Sequence, residues 1–185
     1  MHIELYSKQV KQIASKILDE TNVVQNLNEF GEVIICGSYK YDLMWGHDID
    51  IIVRCDDARK ASKNALQKLI ELRSFQKYEY GDFVKYRRNN RPESYIINLR
   101  LPYNGQNWEI ETWFFEELPL EQIEIDNLIR EKLNDKNKRT ILEMKKLRDE
   151  RGKSKNQINS TEIYKRVLKD GIKNFDELEC DVDKR

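Results

Sequence analysis

Cysteine and histidine are scarce: Cys36, Cys55 and Cys180 are spread along 185 residues without a CxxC pair, and only His2 and His47 could join them. An odd, widely spaced set excludes a disulfide framework and disfavours cysteine-ligated zinc, so the three are expected to be reduced thiols that pack. A long apolar run is missing as well, and the opening MHIELYSKQVKQIASKI is mixed amphipathic sequence rather than the apolar block of a signal peptide. The expectation is a cytoplasmic protein with no membrane partner. Net charge is also lacking, because 33 Lys and Arg meet 33 Asp and Glu. No global field therefore draws the chain to nucleic acid, and any polyanion contact must be local. Internal repeats and low-complexity tracts are absent.

What is present fits one domain with a modest extension: a core over residues 1–118 and a charged, helical C-terminal extension over 119–185. Ile3, Tyr6, Val10, Ile13, Ala14 and Ile17 recur at steps of three and four, which predicts a helix over 3–20. After Gly31, EVIIC and then DIDIIVRC read as strands, with a loop or short helical turn between them. Helical spacing returns over 57–75, with Asp56 and Asp57 suited to its start. Extended segments are expected at roughly 77–87, 94–101 and 107–115, separated by the turn-like NNRPE and PYNGQ, so the fold class is α+β with a mixed sheet flanked by helices. Beyond Pro119 two or more helices are expected, then a linker at 151–160 and a last helix capped by Ser160 or Thr161.

Within DIDIIV, residues two apart share a face, so Asp48 and Asp50 project together while Ile49, Ile51 and Val53 pack on the other side. Two adjacent anions repel unless something compensates them. An exposed sheet face or pairing with Lys and Arg would do so, and so would a divalent cation such as Mg²⁺, which takes oxygen ligands. Gly37-Ser38 directly after the first strand favours the second use, since a glycine turn lets backbone N–H groups approach a phosphate. A third carboxylate comes from NWEIETWFF, where Glu109 and Glu111 share one face and Trp108, Ile110, Thr112 and Phe114 the other. Glu111, in the middle of the apolar run, is the choice; Glu109 remains the alternative.

Taken together, IICGS, YKYDLMWGH, DIDIIV and WEIETWF resemble the nucleotidyltransferase superfamily of the DNA polymerase β type, as a small member of bacterial type. The resemblance covers mainly residues 31–115, with a glutamate where an aspartate is commoner. It implies that Asp48, Asp50 and Glu111 bind two Mg²⁺ ions, with Mn²⁺ able to substitute, and carry catalysis. It further implies that Gly37 and Ser38 hold the β- and γ-phosphates of a nucleoside triphosphate, here read as ATP. Transfer of a nucleoside monophosphate to an acceptor hydroxyl, with pyrophosphate released, is the implied reaction. Small molecules, RNA ends and protein hydroxyls are all open as acceptors. The alternative is a non-catalytic nucleotide-binding or antitoxin-like regulatory partner of the same fold.

Other residues carry two readings each. Lys40 is placed as a phosphate binder, against an ordinary exposed lysine. His47 reads as a local hydrogen-bonding residue before a catalytic one. Asn98 and Arg100 would face the carboxylates, where Arg100 either contacts phosphate or pairs with Glu109. Trp45 and Trp113 read as core before base-stacking residues. The basic run between Arg130 and Lys155 reads as a solvated helix face before an RNA guide.

Overall fold

The computed structural model describes residues 2–87, 92–155 and 157–182, with 180–182 as backbone only. The first three residues of the NNRPE turn and the packing role of Cys180 therefore lie outside the described residues. The chain divides into two compact units: a sheet unit of residues 10–42 and 46–119, and a helical unit made of the amino-terminal turns through Gln9, Leu43–Trp45 and the chain from Leu120.

In chain order the first elements are α1 (Ile3–Thr21), α2 (Val23–Leu27), β1 (Glu32–Ile35), α3 (Gly37–Lys40), β2 (Asp48–Arg54) and α4 (Ala58–Leu72). The strands β3 (Lys77–Asp82), β4 (Tyr95–Tyr103) and β5 (Gln106–Phe115) complete the sheet unit. The sheet order is β1-β2-β5-β4-β3. Only β2 and β5 run parallel; the other three neighbouring pairs are antiparallel. The expected α+β class with a mixed sheet is what the chain adopts.

Alternation of side chains builds the core. Ile49, Ile51 and Val53 of β2, Ile97 and Leu99 of β4, and Ile110 and Phe114 of β5 are all fully buried. Helix α4 begins where the Asp57 carboxylate accepts the Lys60 N–H at 2.8 Å, and it stops where Arg73 turns left-handed at φ 54°. Its Ser62 hydroxyl meets the Tyr80 hydroxyl at 3.1 Å. Because Tyr80 lies opposite Ile97 in the register, α4 covers the apolar face. The opposite face of the sheet carries the aspartates.

One boundary differs from expectation and one turn agrees with it. The extended segment expected at 77–87 ends at Asp82, because the Asp82 side chain accepts the Lys85 N–H at 2.9 Å and its carbonyl accepts the Tyr86 N–H at 3.1 Å. The hairpin between β4 and β5 turns at Asn104 and Gly105, both with positive φ (49° and 73°), as PYNGQ suggested.

The helical unit contains α5 (Leu120–Lys132), α6 (Asp135–Glu150), α7 (Ser160–Leu168) and α8 (Phe175–Val182). The expected cap of α7 is corrected: Asn159, extended at φ −80° and ψ 165°, accepts the Glu162 N–H at 2.7 Å, so Ser160 is already inside the helix. Helix α8 was not anticipated. The basic run is also less solvated than expected, since Lys145 and Arg148 are both 2% exposed. Lys145 Nζ donates to the Leu43 carbonyl at 2.8 Å and to the Tyr164 hydroxyl at 2.7 Å. Bonds of this kind are what burial of an ammonium group requires. Among the described residues no helix is long and apolar enough to cross a membrane.

Candidate active site

The parallel pairing of β2 with β5 sets Asp48 opposite Glu109 and Asp50 opposite Glu111. Neighbouring strands lie about 4.8 Å apart and register partners point the same way, so four carboxylates share one face of two adjacent strands. All four are half-buried. The rows continue across β4 and β3: Arg100 and Lys77 follow Glu109, and Asn98 and Glu79 follow Glu111.

The two glutamates differ in their partners. Arg100 Nη2 lies 3.3 Å from Glu109 Oε1 and 3.4 Å from Glu79 Oε2, and Lys77 Nζ lies 2.9 Å from Glu79 Oε1. The hydrogen bond from Lys77, and then the charges of Lys77 and Arg100, hold the Glu79 carboxyl below its ordinary range despite some desolvation. Glu109 is thus part of an ion-pair ladder, and Arg100 makes the pairing that was one of its two sequence readings. Glu111 accepts instead the indole N–H of Trp113, at 3.2 Å from Oε2. Beside Glu111, the Asn98 side-chain oxygen is buried and has no hydrogen-bond partner among the described residues.

Gly37 brings the turn after β1 onto this face. The ladder of β1 with β2 ends as the Cys36 N–H donates to the Asp50 carbonyl at 2.9 Å. Gly37 then adopts φ +61°, and a Cβ there would sit 2.0 Å from Asp50 Oδ2. Only glycine combines that backbone conformation with that approach. Ser38 is buried at 7% exposure on the single helical turn that follows. Tyr39 anchors the turn to α1 through its hydroxyl, 3.0 Å from Ser15 Oγ. Lys40 Nζ lies over the Tyr41 ring, 5.2 Å from its centre.

The two remaining candidates each pack on an aromatic ring. His47 packs edge-on against Trp108 with ring centres 5.0 Å apart, and its carbonyl accepts the Glu109 N–H at 3.0 Å. Trp45, in the helical unit, packs on Tyr6 at 4.7 Å.

For a metal, the donor set of Asp48, Asp50 and Glu111 is all carboxylate oxygen, the type that Mg²⁺ takes, and the register places the three at neighbouring positions. Their side chains do not close around a common point: among the described residues no three His, Cys, Asp or Glu groups are arranged to hold one ion. Donor type and strand position therefore fit the ion, while the ligand cage is not preformed.

Neither a family model nor a curated protein sequence matches the chain. Solved structures do. A cytoplasmic RNA terminal U-transferase aligns over 90% of this chain and 52% of its own at 17% identity, with a TM-score of 0.56. The polymerase core of TRAMP, an RNA surveillance complex, aligns over 94% and 56% at 18% identity and a TM-score of 0.53. The Cid1 poly(U) polymerase with Mg and 3′-dATP bound aligns over 79% and 46% at 15% identity and a TM-score of 0.50. The chain has the nucleotidyltransferase fold of the DNA polymerase β type.

It spans about half the length of these solved structures. They lend no support to a bacterial-type placement. Within the nucleotidyltransferase fold, the sequence reading of Trp113 as core or base-stacking residue missed its bond to Glu111. The signal was available in E-x-W, since a two-residue step on a strand puts both side chains on one face.

Proposed function

We propose that the chain is a Mg²⁺-dependent nucleotidyltransferase that moves a nucleoside monophosphate from a nucleoside triphosphate, ATP in our reading, to an acceptor hydroxyl. The observation that carries this is the β2–β5 register, which sets Asp50 beside Glu111 and Asp48 on the same face, with Gly37 against the Asp50 carboxylate. Asp48, Asp50 and Glu111 would hold the two ions, and Mn²⁺ would substitute. Bound there, Mg²⁺ would offset the charge of the triphosphate and of the leaving pyrophosphate.

The chain's own groups do the rest. The backbone of Gly37 and Ser38 would lie along the β- and γ-phosphates, with Lys40 within reach once it leaves the Tyr41 ring. Glu111 would take the proton of the acceptor hydroxyl as its oxygen bonds to the α-phosphorus. The bond from that phosphorus to the bridging oxygen then breaks, and its electron pair leaves with pyrophosphate. Glu109, tied to Arg100, would keep the neighbouring cations in place rather than ligate.

The folds it resembles include an RNA terminal U-transferase and a poly(U) polymerase, so an RNA 3′ hydroxyl is the acceptor to try first. Labelled nucleoside triphosphates are incubated with Mg²⁺ and RNA oligonucleotides carrying free or blocked 3′ ends, alongside small hydroxyl acceptors and protein. Transfer is expected from the wild type. It should vanish in Asp48→Asn/Asp50→Asn, fall at least about 100-fold in Glu111→Gln, and fall less than about tenfold in Glu109→Gln, in line with the usual contribution of a positioned acid or base. Equal activity in the double aspartate variant would defeat the metal assignment. Nucleotide binding without transfer to any acceptor, together with a stable protein partner on pull-down, would favour a regulatory module of the same fold.

A further inference from the structure

The Glu111 side chain has one more torsion than those of Asp48 and Asp50, so its carboxylate needs an external restraint to present a fixed oxygen. Trp113 provides one. Its Nε1–H donates to Glu111 Oε2 at 3.2 Å from two residues further along β5, on the same face. The ring that carries this donor is itself held: it lies parallel to Phe115, with 6.3 Å between centres and 6° between planes. Its register neighbours are Ile52 on β2 and Ile96 on β4, each 4% exposed. Cys36, Ile34 and Leu118 pack into the same apolar group with Ile52 and Phe115. The face that bears the carboxylates therefore changes within one two-residue step into a packed apolar wall, and the indole N–H is the polar edge of that wall.

We propose that Trp113 is a positioning residue for Glu111: its indole N–H holds Oε2 and so fixes the orientation in which the carboxylate meets the cation. The proposal rests on the reading of Glu111 as the third metal-binding carboxylate. Partners that orient a metal ligand from behind are worth about 10- to 100-fold in metal affinity. A neutral donor at 3.2 Å belongs at the low end of that range.

The test uses the whole chain and Trp113→Phe, which keeps an aromatic ring against Phe115 and removes the N–H together with part of the indole's volume. Mn²⁺ affinity is measured by the loss of the free-ion electron paramagnetic resonance signal, and transfer is measured against Mg²⁺ concentration. The expected result is about tenfold weaker Mn²⁺ binding and a Mg²⁺ half-saturation raised by the same factor, with kcat at saturating Mg²⁺ within about twofold of wild type. A residue with a merely structural role would not produce that split.

A second measurement leaves position 113 untouched. In protein labelled with ¹⁵N-tryptophan, one indole N–H resonance should shift in Glu111→Gln and also respond to Mg²⁺ in the wild type. The proposal is overturned if Trp113→Phe binds Mn²⁺ within twofold of wild type while Glu111→Gln does not, or if no indole resonance senses Glu111→Gln. If neither Glu111→Gln nor Asp48→Asn/Asp50→Asn weakens Mn²⁺ binding, the metal reading itself fails, and the role of Trp113 fails with it.

Discussion

Replacing Gly37 by alanine separates the site from the fold, and Gly105→Ala is its control. Both glycines have left-handed φ, +61° and +73°, so each substitution carries the same backbone penalty. That penalty is roughly 1–2 kcal/mol. For a chain of this size it lowers Tm by about 2–8 °C. The surroundings differ. A Cβ on Gly105 meets nothing within 4 Å, whereas one on Gly37 would lie 2.0 Å from Asp50 Oδ2 and 2.8 Å from its Cγ.

Non-bonded atoms meet favourably at about 3.5 Å, so the overlap at Gly37 is on the order of 1.5 Å. The group that must yield is the tip of the Asp50 side chain, whose displacement from its rotamer costs only about 0.5–1.5 kcal/mol. The damage to stability is therefore small, while the carboxylate is driven out of line with Glu111. Misplacement of about 1 Å costs on the order of 100-fold in rate. Thermal melts should show both variants folded, with Tm values a few degrees below wild type. Transfer and Mn²⁺ affinity should collapse in Gly37→Ala alone, and Gly105→Ala should stay within about twofold. Gly37→Ala with activity and Mn²⁺ affinity within threefold of wild type would refute the close approach of the turn to the site.

Two further outcomes follow from the packing. Asn159→Ala removes the side-chain cap of α7 and should cost about 0.5–2 kcal/mol in denaturant unfolding, whereas Ser160→Ala should cost less than about 0.5 kcal/mol; the reverse order would return the cap to Ser160. Burial first, then the charges of Glu116, Asp57 and Asp56, push the Cys55 thiol up to about 11, so it stays protonated below that pH. Because the thiolate is the reactive form, alkylation of Cys55 by iodoacetamide, followed by peptide mapping, should keep accelerating as pH rises past 9; a plateau at 9 would show an ordinary thiol.

Much of the site was legible because strand alternation is local. Ile49, Ile51 and Val53 against Asp48 and Asp50 is a period-2 statement that needs no tertiary information, and it survives intact. The register that selects among the possible partners was not legible. The alignment of Asp50 with Glu111, and the pairing of Glu109 with Arg100, depend on strand register, which distant segments settle together.

Local chemistry misled in a few places. Ser160 and Thr161 are good capping residues, yet Asn159 stands just before them and takes the role. Helix α8 carried its own sign in Asn174-Phe175-Asp176-Glu177: Asn174 accepts the Glu177 N–H at 3.0 Å and donates to its carboxylate at 2.6 Å. Lys145 and Arg148 read as solvated charges from the sequence, and only their burial and their bonds to backbone carbonyls show that they are not on the surface.

The parallel pair at the middle of the sheet also sets a schedule. β4 and β5 are joined by a two-residue hairpin and can zip locally, but β2 reaches β5 only after the chain has passed through α4, β3 and that hairpin. Loop closure of this span must precede any contact that rewards it, so the β2–β5 ladder is among the late steps of folding. The carboxylates sit on that ladder. A nascent or partly unfolded chain thus holds its two acidic halves apart.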